Sequence, residues 1–211
     1  MRRFSLSALI GAFAAFVLAA GPVQAQQVDD AAKTLVGTFN TGLVTVMKDA
    51  KTLGFQGRME KMTPLLKASF NFPEMARIAT GSFWKGFDDQ QKAAVTDAIM
   101  RLSAATYASR LTDYAGEKSE ILSIEPAAAP DVGLVATTRL VDKDNGVTTL
   151  VYRLRQAEGG PWKLIDVFYN GDVSELASWR SQYMSVLRDG GYDLLMRKFD
   201  ERIAELGKSG K

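Results

Sequence analysis

The residues of this chain that could do chemistry are few, and the two most conspicuous are Asp166 and Arg180. Asp166 sits in the run Trp162-Lys163-Leu164-Ile165-Asp166-Val167-Phe168. Period-two alternation puts it on one strand face with Trp162, Leu164 and Phe168, so its carboxylate points into an apolar layer and needs a partner. Arg180 lies on the stripe Leu176, Arg180, Tyr183 and Leu187, which has helical spacing. The two are close enough in sequence to predict an ion pair that pins the last strand to the following helix. The alternative is that Asp166 is a general base whose pKa is tuned by a hydrophobic pocket, as in a small lyase or isomerase.

Composition narrows the chemistry further. The 211 residues include no histidine and no cysteine. A structural zinc site, a thiol nucleophile, a Ser-His-Asp triad and an imidazole base are thereby excluded. Neither a metal nor a cofactor is expected, and no enzymatic activity.

The strands that would carry Asp166 run over residues 118–170. Turn signals at Ala129-Pro130-Asp131, Lys143-Asp144-Asn145-Gly146 and Glu158-Gly159-Gly160-Pro161 divide this region into four, which predicts an antiparallel meander. Apolar residues fall on both faces. Leu134 and Leu140 stand opposite Val135 and Val141, while Leu150, Tyr152 and Leu154 stand opposite Val147 and Val151. On the fourth strand Trp162, Leu164 and Phe168 stand opposite Ile165, Val167 and Tyr169. Both faces are expected to leave water, either as a solid three-layer sandwich or with one face curled around an apolar cavity. Phe70, Phe72, Phe83, Trp84 and Phe87 cluster around short helix breaks, either as satellite core or as the mouth of such a pocket.

Helices flank the strands. Leu35, Phe39, Leu43, Val46 and Ala50 recur at steps of three and four, predicting an amphipathic helix over 29–51 that opens on Asp29 and Asp30. A second stretch carries Met59, Met62, Leu65, Leu66 and Phe70, with Pro64 expected to start a new helix. A short helix follows Pro73 and stops near Gly81. Asp88 and Gln91 form a capping-box pattern, opening a long helix through Val95, Ile99, Leu102, Tyr107, Leu111 and Tyr114 that ends at Gly116. After Gly171 a helix capped by Asp172 or Ser174 breaks at Gly190-Gly191 and resumes to about Leu206. The whole is one α+β domain: a four-stranded antiparallel twisted sheet with helices before and after it.

The first residues give an address. Arg2 and Arg3 precede an apolar run from Leu6 to Ala20, followed by Gly21-Pro22-Val23-Gln24-Ala25. This predicts a signal peptide over 1–25, cleaved after Ala25, since the run is short of the roughly 20 residues a spanning helix needs. The domain is then 26–211, and it is expected to work outside the cytoplasm. Removing Arg2 and Arg3 leaves 24 basic against 24 acidic residues. A neutral domain has no electrostatic footprint for nucleic acid.

An ordered set of residues carries a family likeness. Phe70-Asn71-Phe72, Met75-Ala76-Arg77, Gly81 and Trp84 come first, then the capped helix with Tyr107, Leu111 and Tyr114. Trp162-Lys163-Leu164-Ile165-Asp166-Val167, Gly171 and Arg180-Ser181-Gln182-Tyr183 follow. Together they resemble the MlaC / toluene-tolerance family of periplasmic lipid carriers. Gly171-Asp172-Val173-Ser174-Glu175-Leu176-Ala177 looks most like its HpnM branch, associated with hopanoid biosynthesis. Asn71 stands where the family usually has aspartate, which leaves helix capping possible.

The resemblance implies an NTF2-like, MlaC-like fold enclosing an apolar cavity for a membrane lipid, phospholipid or hopanoid. It implies handover between an inner-membrane transporter and an outer-membrane acceptor complex, by a protein expected to be a monomer. Candidate lining residues are Phe72, Phe83, Trp84 and Phe87 near the helix breaks, and Tyr107 and Leu111 on the long helix. On the strands they are Leu134, Val135, Leu150, Val151, Tyr152, Leu154 and Phe168. A periplasmic adaptor that only binds proteins is the remaining alternative, and it predicts a solid core.

Overall fold

The computed structural model describes residues 21–128, 133–157, 159–171 and 173–210. Most of the expected signal peptide, the turn at Pro130 and the candidate cap Asp172 lie outside the described residues. Helix α1 (Gly21–Lys48) is followed by α2 (Ala50–Ser69), α3 (Phe72–Thr80), a 3-10 segment (Gly81–Gly86) and α4 (Asp89–Arg110). Then come β1 (Lys118–Pro126), β2 (Leu134–Val141), β3 (Val147–Gln156), β4 (Trp162–Tyr169), the two-residue β5 (Val173–Ser174) and α5 (Glu175–Ser209). The sheet order is β1-β2-β3-β4-β5, antiparallel throughout. The fold is α+β as expected, with a fifth short strand where the chain turns back into α5.

Local chemistry explains most boundaries. Asp88 and Gln91 form the reciprocal capping box, with Asp88 Oδ1 accepting from the Gln91 amide at 2.8 Å. Asn71 Oδ1 accepts from the Glu74 amide at 3.1 Å and opens α3. Three expectations shift. α1 begins upstream of Asp29 and Asp30, so these residues lie inside the helix. Pro64 sits within α2 instead of starting a helix, and the break falls at Gly54, whose φ of 60° suits glycine. α4 ends at Arg110, with Leu111 as its C-cap, because the backbone leaves helical geometry before Gly116.

The sheet is buried on one face. Along β2 Leu134, Ala136, Thr138 and Leu140 are buried, and the residues between them are partly exposed. β3 follows suit with Leu150, Tyr152 and Leu154 buried. These side chains meet the helical layer through α1, where Tyr152 packs edge-on to Phe39 and donates its hydroxyl to Asn40 Oδ1 at 2.7 Å. The opposite face carries the cross-strand Arg139–Glu120 pair at 2.7 Å and Arg153 over the Phe168 ring. The expectation that both faces leave water is thus corrected: β2 and β3 have one packed and one wet face.

Strand β4 breaks the alternation for a physical reason. Leu154 pairs with Leu164, but Arg153 pairs with Asp166, so Ile165 is an extra residue in a β-bulge. Beyond the bulge the parity reverses. Val167 lies beside Tyr152 on the inner face, whereas Asp166 and Phe168 fall in line with Arg153 and Val151 on the outer one. Leu164, Ile165, Asp166 and Val167 are all buried in succession.

Candidate functional site

The expected ion pair is absent. Asp166 Oδ1 accepts from the amides of Val167 at 2.8 Å and Leu176 at 3.0 Å, and Oδ2 accepts from the Ser174 hydroxyl. The bulge turns the carboxylate toward the first turn of α5, where unpaired amides and the positive end of the helix dipole receive it. Ser174 completes this arrangement as the N-cap, its Oγ accepting from the Ala177 amide at 2.8 Å. Arg180 is exposed on α5 and donates from Nη1 to the carbonyl of Ile78 at 3.0 Å, near the C-terminal end of α3. Each charge therefore serves a different helix terminus, and Asp166 anchors β4 to the N-cap Ser174 and to the first turn of α5.

Anchoring the start of α5 against β4 places Glu175 and Trp179 over the inner face of the sheet. At the opposite end of β4, Phe70 forms a parallel bridge with Leu164, and the Asn71 amide donates to the Leu164 carbonyl at 2.9 Å. Arg155 Nη1 meets Glu74 Oε1 at 2.8 Å and adds a second tie from the sheet to α3. Phe70 and Phe72, stacked with ring centroids 5.8 Å apart, are held at that edge.

Between these anchors lies a largely apolar tract of three neighbouring spaces that share lining residues. One of about 130 Å³ lies between the inner sheet face, α1 and α4, lined by Leu43, Met47, Tyr107, Leu111, Leu150 and Val167. A narrow pocket of about 10 Å³ adjoins it, bounded by Phe70, Phe72, Tyr107, Val167, Glu175 and Trp179. That is room for about one water. A larger groove of about 700 Å³ opens outward along α4 and α5, past Thr106, Tyr169, Trp179, Tyr183, Val186 and Phe199. Glu175 borders all three spaces, and Tyr107 borders the first two.

Polar groups gather at the groove's edge. Arg110 Nη1 meets Glu175 Oε1 at 2.9 Å across the gap between α4 and α5, and the same guanidinium lies over the Tyr169 ring at 5.7 Å. Lys198 and Arg202 of α5 also line the opening. Burial pushes the Tyr107 hydroxyl far above its usual pKa, the Glu175 carboxylate adds to this and Arg110 partly offsets it. Tyr183 is raised by burial and then by Glu175. Both phenols stay neutral, so inside the tract they behave as large apolar rings with one polar tip. Among the described residues no group of side chains is arranged to hold a metal ion, and no helix is long and apolar enough to cross a membrane.

Of the sequence-predicted lining residues, Tyr107, Leu111 and Leu150 come together in the enclosed chamber. Phe72 borders the narrow pocket, and with Trp84 it lines a separate groove between α2, α3 and α4. Leu134, Tyr152 and Leu154 belong to the packed inner layer. Val135, Val151 and Phe168 lie on the outer face and do not join them. Phe83 packs at the margin of the core, and Phe87 stands edge-on between Trp84 and Tyr192. Sequence reasoning missed Arg110, Glu175 and Trp179. Trp179 is one helical turn from Leu176 and Tyr183, so the α5 stripe could have found it.

The family model described as MlaC protein matches residues 38–201. A solved structure described as the phospholipid-binding protein from Ralstonia solanacearum, in complex with a phospholipid, is similar at a TM-score of 0.69 and 22% identity. The match covers 85% of this chain and 98% of that one, and at such identity the likeness is one of fold. A search of curated proteins finds no match. The family match runs from the latter part of α1 through α2, α3, α4 and the sheet to most of α5, and the chain belongs to the MlaC protein family.

Proposed function

We propose that this protein is a non-enzymatic periplasmic carrier that takes up a membrane lipid and moves it between an inner-membrane transporter and an outer-membrane acceptor. Its signal peptide directs it there and is removed after Ala25, and it works as a monomer. The observation that carries the reading is the largely apolar tract between the inner sheet face, α4 and α5, in which the paired Arg110 and Glu175 border both the chamber and the outer groove, and Lys198 and Arg202 border the outer groove alone. Such a tract shields acyl chains from water and leaves a headgroup at the edge. Each methylene buried contributes about 0.8 kcal/mol, so chain burial alone drives binding without any reaction.

A phospholipid is the first cargo, supported by membership of the MlaC family and by the phospholipid in the structurally similar protein. The HpnM-like run at 171–177 makes a hopanoid the alternative cargo. The test is to express the exported chain, purify it, extract it with organic solvent and analyse the extract by mass spectrometry. A near-stoichiometric phospholipid is expected, and a hopanoid in its place would reassign the cargo. Repeated lipid-free preparations that also take up no lipid from vesicles would overturn the carrier reading.

A further inference from the structure

A second apolar groove, of about 540 Å³, lies on the other side of Phe70 and Phe72 from the tract just described. Pro73, Trp84, Ala93 and Met100 complete its apolar wall, and Lys67 and Lys92 stand at its sides. The same two phenylalanine rings bound the narrow pocket that contains Tyr107 and Trp179. Phe70 and Phe72 are therefore the side chains common to both sides of the partition. Both rings are buried, and Phe70 also packs edge-on to Phe39 at 5.1 Å, so opening the partition requires rotation about their side-chain bonds.

We propose that this groove is a second acyl-chain site, reached from the lipid tract when the Phe70 and Phe72 rings turn aside, and that it receives the far end of a long chain. The inference rests on the carrier reading and extends it. The shared partition of Phe70 and Phe72 sets this groove directly beside the tract, and that adjacency identifies the occupant as a lipid chain. The two mouths differ in chemistry: the α4/α5 groove is edged by Arg110, Glu175, Lys198 and Arg202, suiting a headgroup, whereas this one is walled mainly by rings and small apolar groups, with Lys67, Lys92, Thr96 and Asp97 as its polar lining. Trp84 stands on the 3-10 segment between Gly81 and Gly86, beside the groove, and the stems of Lys67 and Lys92 can cover a chain while their ammonium groups stay in water. A carrier with this second site accommodates long chains and discriminates little against them.

The chain's three tryptophans provide the test. Trp84 reports on the second groove and Trp179 on the tract. Two single-tryptophan forms of the exported protein, made by Trp→Phe replacement of the others, are titrated with phosphatidylglycerol brominated at its chain ends. Loss of most Trp84 emission with long chains, absent with short ones that still quench Trp179, is the expected result. Ala93→Phe, at an exposed position in the groove wall, should restore Trp84 emission and leave the quenching of Trp179 intact. Quenching of Trp179 with Trp84 unaffected by any chain length would overturn the inference and leave the groove to an apolar segment of a partner protein. If neither tryptophan is quenched, the carrier reading itself fails.

Discussion

The hydroxyl of Ser174 donates to Asp166 Oδ2 while its oxygen accepts from the Ala177 amide, so one serine couples the last long strand to the first turn of α5. Asp166 also receives the Leu176 amide directly. The two side chains each take one of the free donors at a helix terminus that overhangs the apolar tract. The position of Glu175 and Trp179 above the sheet follows from this coupling.

Asp166→Ala should destabilise the fold by about 2–3 kcal/mol, since it strands a buried amide and removes a charge-assisted acceptor. Ser174→Ala removes a cap and should cost about 1 kcal/mol. Arg180→Met breaks only a bond to the Ile78 carbonyl from an exposed position and should cost less than either. Urea unfolding measures all three. A large loss for Arg180→Met, coupled to that of Asp166→Ala in a double-mutant cycle, would revive the ion pair that the structure lacks.

Arg58 is buried and holds three separate segments. Its Nε donates to the Ala108 carbonyl at 2.7 Å, Nη1 to that of Ala50 at 2.8 Å, and Nη2 to that of Gly210. Burial lowers its pKa from the usual arginine value. Arg58→Ala should cost about 3 kcal/mol or more, and Arg58→Lys should recover little, because an ammonium cannot reproduce the fork of planar donors. Thermal unfolding of the two variants checks both statements.

Alkaline pH should weaken the protein. Burial raises the pKa of Tyr107, Tyr152 and Tyr183 above the ordinary phenol value near 10. Below that value both folded and unfolded chains keep these protons, and the three tyrosines add no pH dependence. Above it the unfolded chain releases protons that the folded chain retains. Stability then falls by up to about 1.4 kcal/mol per pH unit for each tyrosine. Urea midpoints measured from pH 9 upward should decline, and Tyr183→Phe should flatten the decline.

The two faces of β3 should answer differently to charge. Val151→Asp adds a carboxylate to the wet face and should change stability by less than about 1 kcal/mol. Leu150→Asp places one in the buried layer beside the enclosed chamber and should cost several kcal/mol. Leu111→Asp, at a partly exposed position on the chamber wall, tests the site with less harm to the fold. It should leave a folded protein by circular dichroism that takes up less lipid from vesicles.

How much of this was legible in the chain depends on the range of the forces involved. The absence of histidine and cysteine, the turn signals and the capping residues are local facts, and they sufficed for the α+β meander and for the Asp88 and Asn71 caps. The extra residue at Ile165 was not legible, because a bulge is decided by how β4 packs against β3 and α5, and alternation on one strand assumes that no residue is added. That single residue moved Asp166 from the layer it seemed to share with Leu164, and put Phe168 on the outer face with Val151. The sequence by itself determined which side chains were too apolar to stay in water, since transfer free energy belongs to the residue. Only the tertiary structure decided which of them face each other across a cavity. That depends on register and helix placement, and a shift of one residue reverses the face on which every later side chain of a strand stands.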